Sequence, residues 1–309
     1  VAALGFKPGE EVLVQSLTFL ASFQAISAAG LTPVPCEVVP GTLTIDLKDA
    51  ANRLSSKTRA IMPVHYAGRT GNLDEIYAFA QKHNLRVIED AAHAFGTVFN
   101  GRKIGSFGDV VCFSFDGIKN ITCGEGGVVV TADAKVAQFV MDARLLGIKK
   151  DTEKRYAGQR SWEFDVVNQG YRYHMSNLFA AIGTTQLARS EKEFKPKRQK
   201  IATRYYEALK EIKGIELLPN DYKDIVPHLF PIRVSGGRRD ALREFLAEAG
   251  VETGIHYYPN HLLSFYGKGK VSLPVTESIY SQLLSLPLHP DLKENDQDKV
   301  IALITKGVQ

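Results

Sequence analysis

Short runs of apolar and β-branched residues alternate with segments of helical periodicity over the first two-thirds of the chain. The short runs predict strands at residues 11–14, 60–64, 86–89, 110–114 and 127–131. The periodic segments predict helices from Phe19 to Ile26, from Leu73 to His83 and from Ala134 to Leu146. This alternation favours an α/β protein whose mainly parallel sheet is covered by helices on both faces.

Local signals refine this prediction near the start of the chain. Thr18 is a plausible N-cap of the first helix, and Gly30 a plausible stop. The segment 32–38 reads as an edge or irregular strand because Pro33 and Pro35 cannot donate to a central ladder.

The last third predicts a smaller α+β unit. A charged and polar stretch at 149–162 predicts a surface loop, and helices are expected at 176–190 and 191–212. Strands at 229–234 and 251–254 are expected to flank a helix at 240–249. At 309 residues the chain is long enough for two domains. We therefore predict a large domain over residues 1–190 and a small C-terminal domain over residues 191–309.

Composition narrows the classes of function. The net charge of +4 is spread over many Lys and Arg without a dense basic tract, which argues against nucleic-acid binding. No apolar run approaches the roughly 20 residues that span a bilayer, and residues 1–6 lack the features of a signal peptide. The three cysteines, Cys36, Cys112 and Cys123, have no metal-like spacing. We expect reduced thiols, a cytoplasmic protein and no bound metal.

Two chemically active residues follow buried strands. Asp90 ends the run 86–90, and Lys119 follows the run 110–114 and precedes a glycine-rich turn. An amine that can form a Schiff base, with a carboxylate that keeps a pyridine nitrogen protonated, is what pyridoxal 5′-phosphate (PLP) chemistry requires. A solvated surface lysine is the ordinary alternative for Lys119, and a helix cap is the alternative for Asp90.

Three neighbouring features could complete such a site. His93 lies three residues beyond Asp90 and could contact a cofactor ring or serve only as a structural histidine. Ser114 offers a hydroxyl to a phosphate, or is an ordinary serine at a strand end. The glycines of 124–127 fit a turn between strands better than a phosphate cradle.

Six blocks of the chain carry a resemblance to one family: residues 63–68, 89–96, 105–109, 113–127, 171–177 and 254–259. The most specific are Glu-Asp-Ala-Ala-His-Ala-Phe-Gly at 89–96 and Ser-Phe-Asp-Gly-Ile-Lys-Asn at 114–120. They resemble the DegT/DnrJ/StrS family of PLP-dependent nucleotide-sugar aminotransferases. The resemblance implies PLP fold type I, with a seven-stranded type of sheet, and homodimers with shared active sites.

The resemblance also implies a role for each candidate residue. Lys119 would form the Schiff base with PLP and transfer protons, and Asp90 would pair with the pyridine nitrogen. His93 would contact the ring region and Ser114 the phosphate. Phe19 matches the aromatic residue that stacks on the cofactor. Arg172 stands near the position of a family asparagine that reaches the partner subunit's phosphate, and we expect Arg172 to serve instead.

By the same resemblance, the enzyme would move the amino group of L-glutamate to a nucleotide-linked keto-sugar, with pyridoxamine phosphate as the intermediate form. The sugar would be a dTDP- or UDP-4-keto-6-deoxyhexose aminated at C4, in amino-sugar and cell-surface polysaccharide (O-antigen) biosynthesis. Amination at C3 and a non-catalytic PLP-binding or regulatory relative remain alternatives. Sugar 3-dehydration is disfavoured because those relatives carry His at the position of Lys119.

The resemblance is incomplete at the start of the chain. The family has a leading segment with a Ser-Gly-Thr-type loop that holds the phosphate, and this chain begins after it. We therefore expect the phosphate site of the chain as given to be incomplete. A nucleotide-binding α/β domain without PLP is weakened because no Gly-x-Gly-x-x-Gly stands at a strand-to-helix turn in the first half.

Overall fold

The computed structural model describes residues 1–148, 165–267 and 270–308, so the loop predicted at 149–162 lies outside the described residues. A six-stranded sheet forms the centre, in the order β2-β1-β3-β4-β7-β8. Its strands are β1 (Glu11–Gln15), β2 (Thr32–Cys36), β3 (Thr58–Met62), β4 (Arg86–Asp90), β7 (Val110–Ser114) and β8 (Gly127–Thr131). All neighbours are parallel except β7 and β8. The mainly parallel sheet is confirmed, with six strands in the described part.

Helices and a hairpin surround this sheet. They are α1 (Leu20–Ala28), α2 (Leu47–Asn52), α3 (Leu73–Lys82), α4 (Ala134–Ala143) and the hairpin β5 (Val98–Phe99) and β6 (Arg102–Lys103). Three helices begin at a side-chain cap, since Asp46, Asn72 and Asp133 each accept a backbone N–H from the first turn. Strand alternation explains why both faces are apolar, because Val87 and Ile88 of β4 enter different core clusters.

A second, three-stranded antiparallel sheet lies in the last third of the chain. It consists of β9 (Ile215–Leu217), β10 (Phe230–Val234) and β11 (Leu283–Leu286), in the order β11-β10-β9. The remaining helices are α5 (Asn177–Arg189), α6 (Lys195–Leu209), α7 (Arg239–Glu248), α8 (Pro274–Gln282) and α9 (Glu294–Gly307). Helices α6, α7 and α9 share one apolar core with this sheet.

A π-helical turn, Ser190–Phe194, joins α5 to α6, and short 3₁₀ turns lie at Ala2–Leu4, Tyr66–Gly68, Asn260–Leu262 and Ser264–Tyr266. The expected domain boundary after residue 190 falls within this continuous helical run, and the division stays a prediction. The segment that follows β3 and the segment that precedes β10 approach each other closely at Gly68, which has φ 95°. A Cβ on this residue would lie 2.6 Å from the carbonyl oxygen of Val226.

Three local predictions were wrong. The N-cap of α1 is Phe19, and the Thr18 hydroxyl instead lies 3.2 Å from Ser22 Oγ. Helix α4 ends at Ala143, because Leu146 and Gly147 adopt positive φ and turn the chain. Residues 251–254 are not a strand. Val251 follows α7, where its N–H bonds to Leu246 O, and its side chain packs in the core of the small unit. Gly254 makes only an isolated bridge to Ser285.

Candidate active site

Two neighbouring strands deliver the candidate residues to one edge of the large sheet. Asp90 is the last residue of β4, and Ser114 is the last residue of β7. These strands are parallel, with Asp90 opposite Cys112. The carboxyl ends of parallel strands are where α/β sheets bind ligands. Asp90 and Ser114 therefore lie on adjacent strands at the edge that the sequence analysis indicated.

The Lys119 loop, residues 115–126, returns from β7 into the antiparallel strand β8. Ser114 pairs with Gly127, and the loop is closed by hydrogen bonds from Phe115 N–H to Gly126 O (2.8 Å) and from Cys123 N–H to Phe115 O (3.0 Å). The glycines of 124–127 thus form the return of the loop, in agreement with the turn prediction. Lys119 is half-buried on this loop.

The Asp90 carboxylate is held by two donors. Ser22 Oγ donates to Oδ2 at 2.6 Å, and Ala92 N–H donates to Oδ1 at 3.2 Å. Ser22 is 3% exposed and lies on the buried face of α1. Turns rather than a helix follow Asp90, so the alternative role as a helix cap does not apply. The two donors fix the orientation of the carboxylate and stabilise its charge.

Burial lowers the pKa of the Lys119 amine below its ordinary value, while the charges of Asp90 and Asp116 act in the opposite direction. Lys119 Nζ makes neither a hydrogen bond nor an ion pair within residues 1–148, 165–267 and 270–308. A half-buried amine without a partner is available to a ligand.

His93 is buried beside this pair. Its Nδ1 accepts from Ala67 N–H at 3.4 Å, and its Nε2 lies 3.1 Å from Tyr257 Oη. Burial holds the pKa of His93 well below its ordinary value, and the positive charge of Lys119 acts in the same direction. The ring is therefore neutral, and the hydrogen bond from Ala67 places its proton on Nε2, which donates to Tyr257.

The three remaining candidates differ in how they relate to this site. Phe19 is 52% exposed, and its ring centroid lies 5.6 Å from that of Tyr257. Ser114 Oγ accepts from Asp116 N–H at 3.3 Å. Arg172 is exposed and pairs through its backbone with Leu145. Its side chain makes no hydrogen bond or ion pair within the described part of the chain, and nothing places it beside Lys119.

Sequence reasoning missed three residues that contact the site: Ser22, Tyr257 and His228. Ser22 is a polar residue on the otherwise apolar face of α1, between Phe19 and Phe23, and this break in the pattern was the available signal. Tyr257 lies in the block 254–259, which was recognised without a role for this residue. His228 stacks on His93 at 4.2 Å between ring centroids and precedes β10.

The neighbouring carboxylate, Glu89, has a different environment from that of Asp90. Its two oxygens lie 2.6 Å from Tyr77 Oη and 2.7 Å from His65 Nε2, and both Glu89 and His65 are 0% exposed. Adjacent residues of a strand face opposite sides of the sheet. Glu89 therefore lies on the opposite face of the sheet from Asp90, and of these two carboxylates we assign only Asp90 to the candidate site.

Comparison with known proteins agrees with this geometry. The sequence profile of the DegT/DnrJ/EryC1/StrS aminotransferase family matches residues 1–305. The chain belongs to this family. A curated relative, the uncharacterized protein MJ1066 of Methanocaldococcus jannaschii, is 35% identical over 100% of this chain and 82% of that protein.

Solved structures of family members have the same fold. The aminotransferase TlmJ from Streptoalloteichus hindustanus is 32% identical, with a TM-score of 0.89 over 99% of this chain and 81% of that chain. DesV from S. venezuelae is 35% identical, with a TM-score of 0.89 over 99% of this chain and 80% of that chain. The fold is that of PLP fold type I, and the chain is a PLP-dependent sugar aminotransferase.

The residues present fit this cofactor. A structure of NtdA from Bacillus subtilis, 29% identical with a TM-score of 0.87 over 99% of this chain and 69% of that chain, contains the cofactor PMP. In this chain the half-buried Lys119 amine and the Asp90 carboxylate held by Ser22 are the two groups that an aldehyde and a pyridine nitrogen need. In the described residues there is no cluster of His, Cys, Asp and Glu suited to a metal ion. Nor does the described part contain a helix long and apolar enough to cross a membrane.

Proposed function

We propose that Lys119 holds PLP covalently and that the Asp90 carboxylate pairs with its pyridine nitrogen. The single observation that carries this assignment is the placement of the two groups. Asp90 ends β4 with its carboxylate held by Ser22 and Ala92, and the half-buried Lys119 lies on the loop that leaves the adjacent strand β7. Burial lowers the pKa of the Lys119 amine, in agreement with this role. Two groups that must act on opposite ends of one flat ring thus lie at the same edge of the sheet.

Other residues complete the proposed cofactor site. Ser114, one strand away from Asp90, is suited to a phosphate oxygen. His93 lies beside the ring region through its bond to Tyr257, and Phe19, which faces Tyr257, is suited to stack on the cofactor. Arg172 is exposed and is proposed to reach the phosphate bound by a second copy of the chain.

The chain's own residues would then divide the chemistry. When bound, PLP supplies an electron sink for the carbanion formed beside the amino group. Asp90 keeps a proton at the pyridine nitrogen, because its negative charge is stabilised by two donors. Once the amino group of the donor has displaced Lys119 from PLP, the freed Nζ, made less basic by burial, would remove the proton from the carbon that carries the amine of the donor. Because it stays tethered to the Lys119 backbone, the same amine would also be the group that returns a proton.

For the substrates, we propose L-glutamate as the amino donor and a nucleotide-linked keto-sugar as the acceptor. A dTDP- or UDP-4-keto-6-deoxyhexose aminated at C4 is the first choice, supported by the resemblance of the block 63–68 and of His93 to enzymes of that specificity. Amination at C3 is the second candidate. The three free cysteines fit a reducing compartment, and we include a cytoplasmic setting in the proposal.

We further propose a homodimer, because one face of the molecule is exposed and apolar. Helix α5 has no buried residue although its sequence is largely apolar. Exposed apolar side chains on and just before α5 are Tyr173 (76%), Leu178 (78%), Ile182 (46%) and Leu187 (56%). Several large apolar side chains exposed on one helix indicate a protein–protein interface. A second copy of the chain would cover it and carry Arg172 to the neighbouring site.

Reduction by borohydride tests the assignment of Lys119. The full-length protein is purified, loaded with PLP and reduced, and the modified peptide is identified by mass spectrometry. We expect the pyridoxyl group on Lys119. When L-glutamate is added before reduction, we expect the absorbance of the Schiff base between Lys119 and PLP to fall. Modification of a different lysine would contradict the assignment. A panel of dTDP- and UDP-linked 3-keto and 4-keto sugars then separates C3 from C4 amination.

A further inference from the structure

A buried histidine, His228, lies directly beside the Lys119 loop. It is 5% exposed and precedes β10 of the small sheet. Its backbone N–H donates to Ala67 O at 3.4 Å, so it is also held to the segment that precedes Gly68. A residue just before the small sheet thus contacts Asn120 on the loop that carries the reactive amine.

The hydrogen bonds of Asn120 define the state of the His228 ring. Asn120 Nδ2 donates to the carbonyl oxygens of Val226 (3.2 Å) and Phe95 (3.4 Å), so its oxygen faces the ring. His228 Nδ1 lies 3.2 Å from Asn120 Oδ1 and therefore carries the proton. Its Nε2 is buried and has no partner in the part of the chain that the structure describes.

This arrangement favours an uncharged ring. A proton on Nε2 would leave a buried, charged N–H without an acceptor, which is costly. In agreement, burial holds the pKa of His228 well below its ordinary value. Four basic residues face the ring, His93, Lys119, Arg198 and His256, and the positive charges of Lys119 and Arg198 act in the same direction.

We propose that His228 is a positioning residue for Lys119, acting through Asn120. Asn120 directly follows Lys119 and is 6% exposed, so a fixed Asn120 side chain fixes the backbone from which the reactive amine extends. The same imidazole stacks on His93, with 4.2 Å between centroids and 33° between planes, and holds that ring in place. The inference deepens the proposed function and rests on the role assigned to Lys119.

Three variants test this inference, with the exposed His289→Leu as the matched control. His228→Leu removes the donor to Asn120, His228→Gln keeps an N–H donor, and Asn120→Ala removes the same bond from the other side. Two quantities are measured in the full-length protein. One is the dissociation constant of PLP. The other is the pH midpoint for limited labelling of Lys119 by an amine-reactive reagent in the cofactor-free protein, read by peptide mass analysis.

We expect His228→Leu and Asn120→Ala to weaken PLP binding about tenfold, because a buried polar atom loses its partner. Water gains access to the loosened loop, so the pH midpoint of Lys119 labelling should rise by about half a unit, a roughly threefold smaller unprotonated fraction at neutral pH. His228→Gln, which keeps an N–H donor, should have nearly the PLP affinity and the Lys119 labelling midpoint of the unchanged protein. A role in packing alone would leave the labelling midpoint unchanged.

The outcomes are distinguishable from failure of the proposed function. If borohydride attaches the pyridoxyl group to a lysine other than Lys119, the proposed function is wrong. If Lys119 is modified but neither His228→Leu nor Asn120→Ala moves the labelling midpoint, or if Gln does not restore it, the positioning role is refuted. Thermal unfolding verifies that each variant folds. If His228→Leu does not fold, the measurements on Asn120→Ala decide whether the positioning role holds.

Discussion

The edge of the six-stranded sheet and the segments around the three-stranded sheet meet at one site but contribute different kinds of side chain. The large sheet supplies the charged pair, Lys119 and Asp90, at the ends of short buried strands. The segments around the small sheet supply His228 and Tyr257, which are buried or half-buried and uncharged. The difference indicates a division of labour, in which one region carries the reactive charges and the other holds them in position.

The most damaging change to the large-sheet side should be Lys119→Ala. Loss of the amine removes the group that moves the proton, and we expect kcat to fall by roughly 10⁴-fold or more. Steady-state transamination assays measure this loss. Lys48→Ala, an exposed lysine on α2, should behave as the unchanged protein. Substantial turnover by Lys119→Ala would move the chemistry to another residue.

Asp90→Asn should have the next largest effect. The amide has nearly the same shape and can still accept from Ser22, but it lacks the charge that keeps the pyridine nitrogen protonated. We expect about a 10³-fold loss in kcat with little change in the dissociation constant of PLP. Asp116→Asn is the matched comparison, because Asp116 also acts on Lys119 but is assigned no contact with the ring. Equal losses in both variants would contradict the special role of Asp90.

The comparison is sharpened by a third region, the apolar face of α5. A buried, unpaired charge opposes association, so Leu178→Glu should weaken the proposed dimer by at least about 10²-fold. Analytical ultracentrifugation measures the dissociation constant. Gln81→Glu, an exposed position on α3, adds the same charge as a control. If the unsubstituted protein is itself a monomer, the proposed dimer is wrong.

The uncharged histidines should make the protein sensitive to acid. The pKa values of His93 and His228 are lowered on folding, so the unfolded chain binds protons that the folded chain does not as pH falls through about 6.5. The stability contributed by each neutral ring is thus present above this pH and lost below it. Between pH 7.5 and 5.0 we expect a loss of at most about 2 kcal/mol per ring. Urea denaturation at both pH values should show a smaller loss in His228→Gln than in His289→Leu.

The smallest effect is expected from Tyr257→Phe. This change removes only the hydroxyl that meets His93 Nε2, and the Phe19 contact remains. We expect kcat to fall threefold to tenfold, about the worth of one hydrogen bond. A loss as large as that of Asp90→Asn would mean that Tyr257 takes part in the chemistry, and the division between the two regions would not hold.

Local sequence was sufficient to predict most of the large sheet. Its strands are short, apolar runs that end at polar residues, and each predicted strand from β1 to β8 in the large sheet lies within a few residues of its observed position. In the small unit, Leu283–Leu286 gave no clear signal, because four residues with three leucines suit a helix as well as a strand. The strand at 251–254 was wrongly predicted, because Val251 is a core residue that directly follows α7 and hydrogen-bonds to Leu246.

The site was only partly predictable for a related reason. Asp90 and Lys119 follow neighbouring strands, so the rule for parallel sheets brings them to one edge. Tyr257 meets His93 across 164 positions, and His228 meets Asn120 across 108. No periodicity or motif spacing relates residues so far apart. Only the packing of one sheet region against the other reveals these contacts.

The close approach at Gly68 means that no side chain fits between the segment after β3 and the segment before β10. Even a methyl group there would collide with the peptide of Val226. We expect the displaced Val226 segment to move His228 out of hydrogen-bonding distance of Asn120. Substitution at Gly68 would then impair a reaction that this residue never touches. In a saturation library screened separately for folding and for turnover, substitutions at Gly68 should impair both. Substitutions at Gly41, which does not have a positive φ and whose added Cβ would have no neighbour within 4 Å, should impair neither.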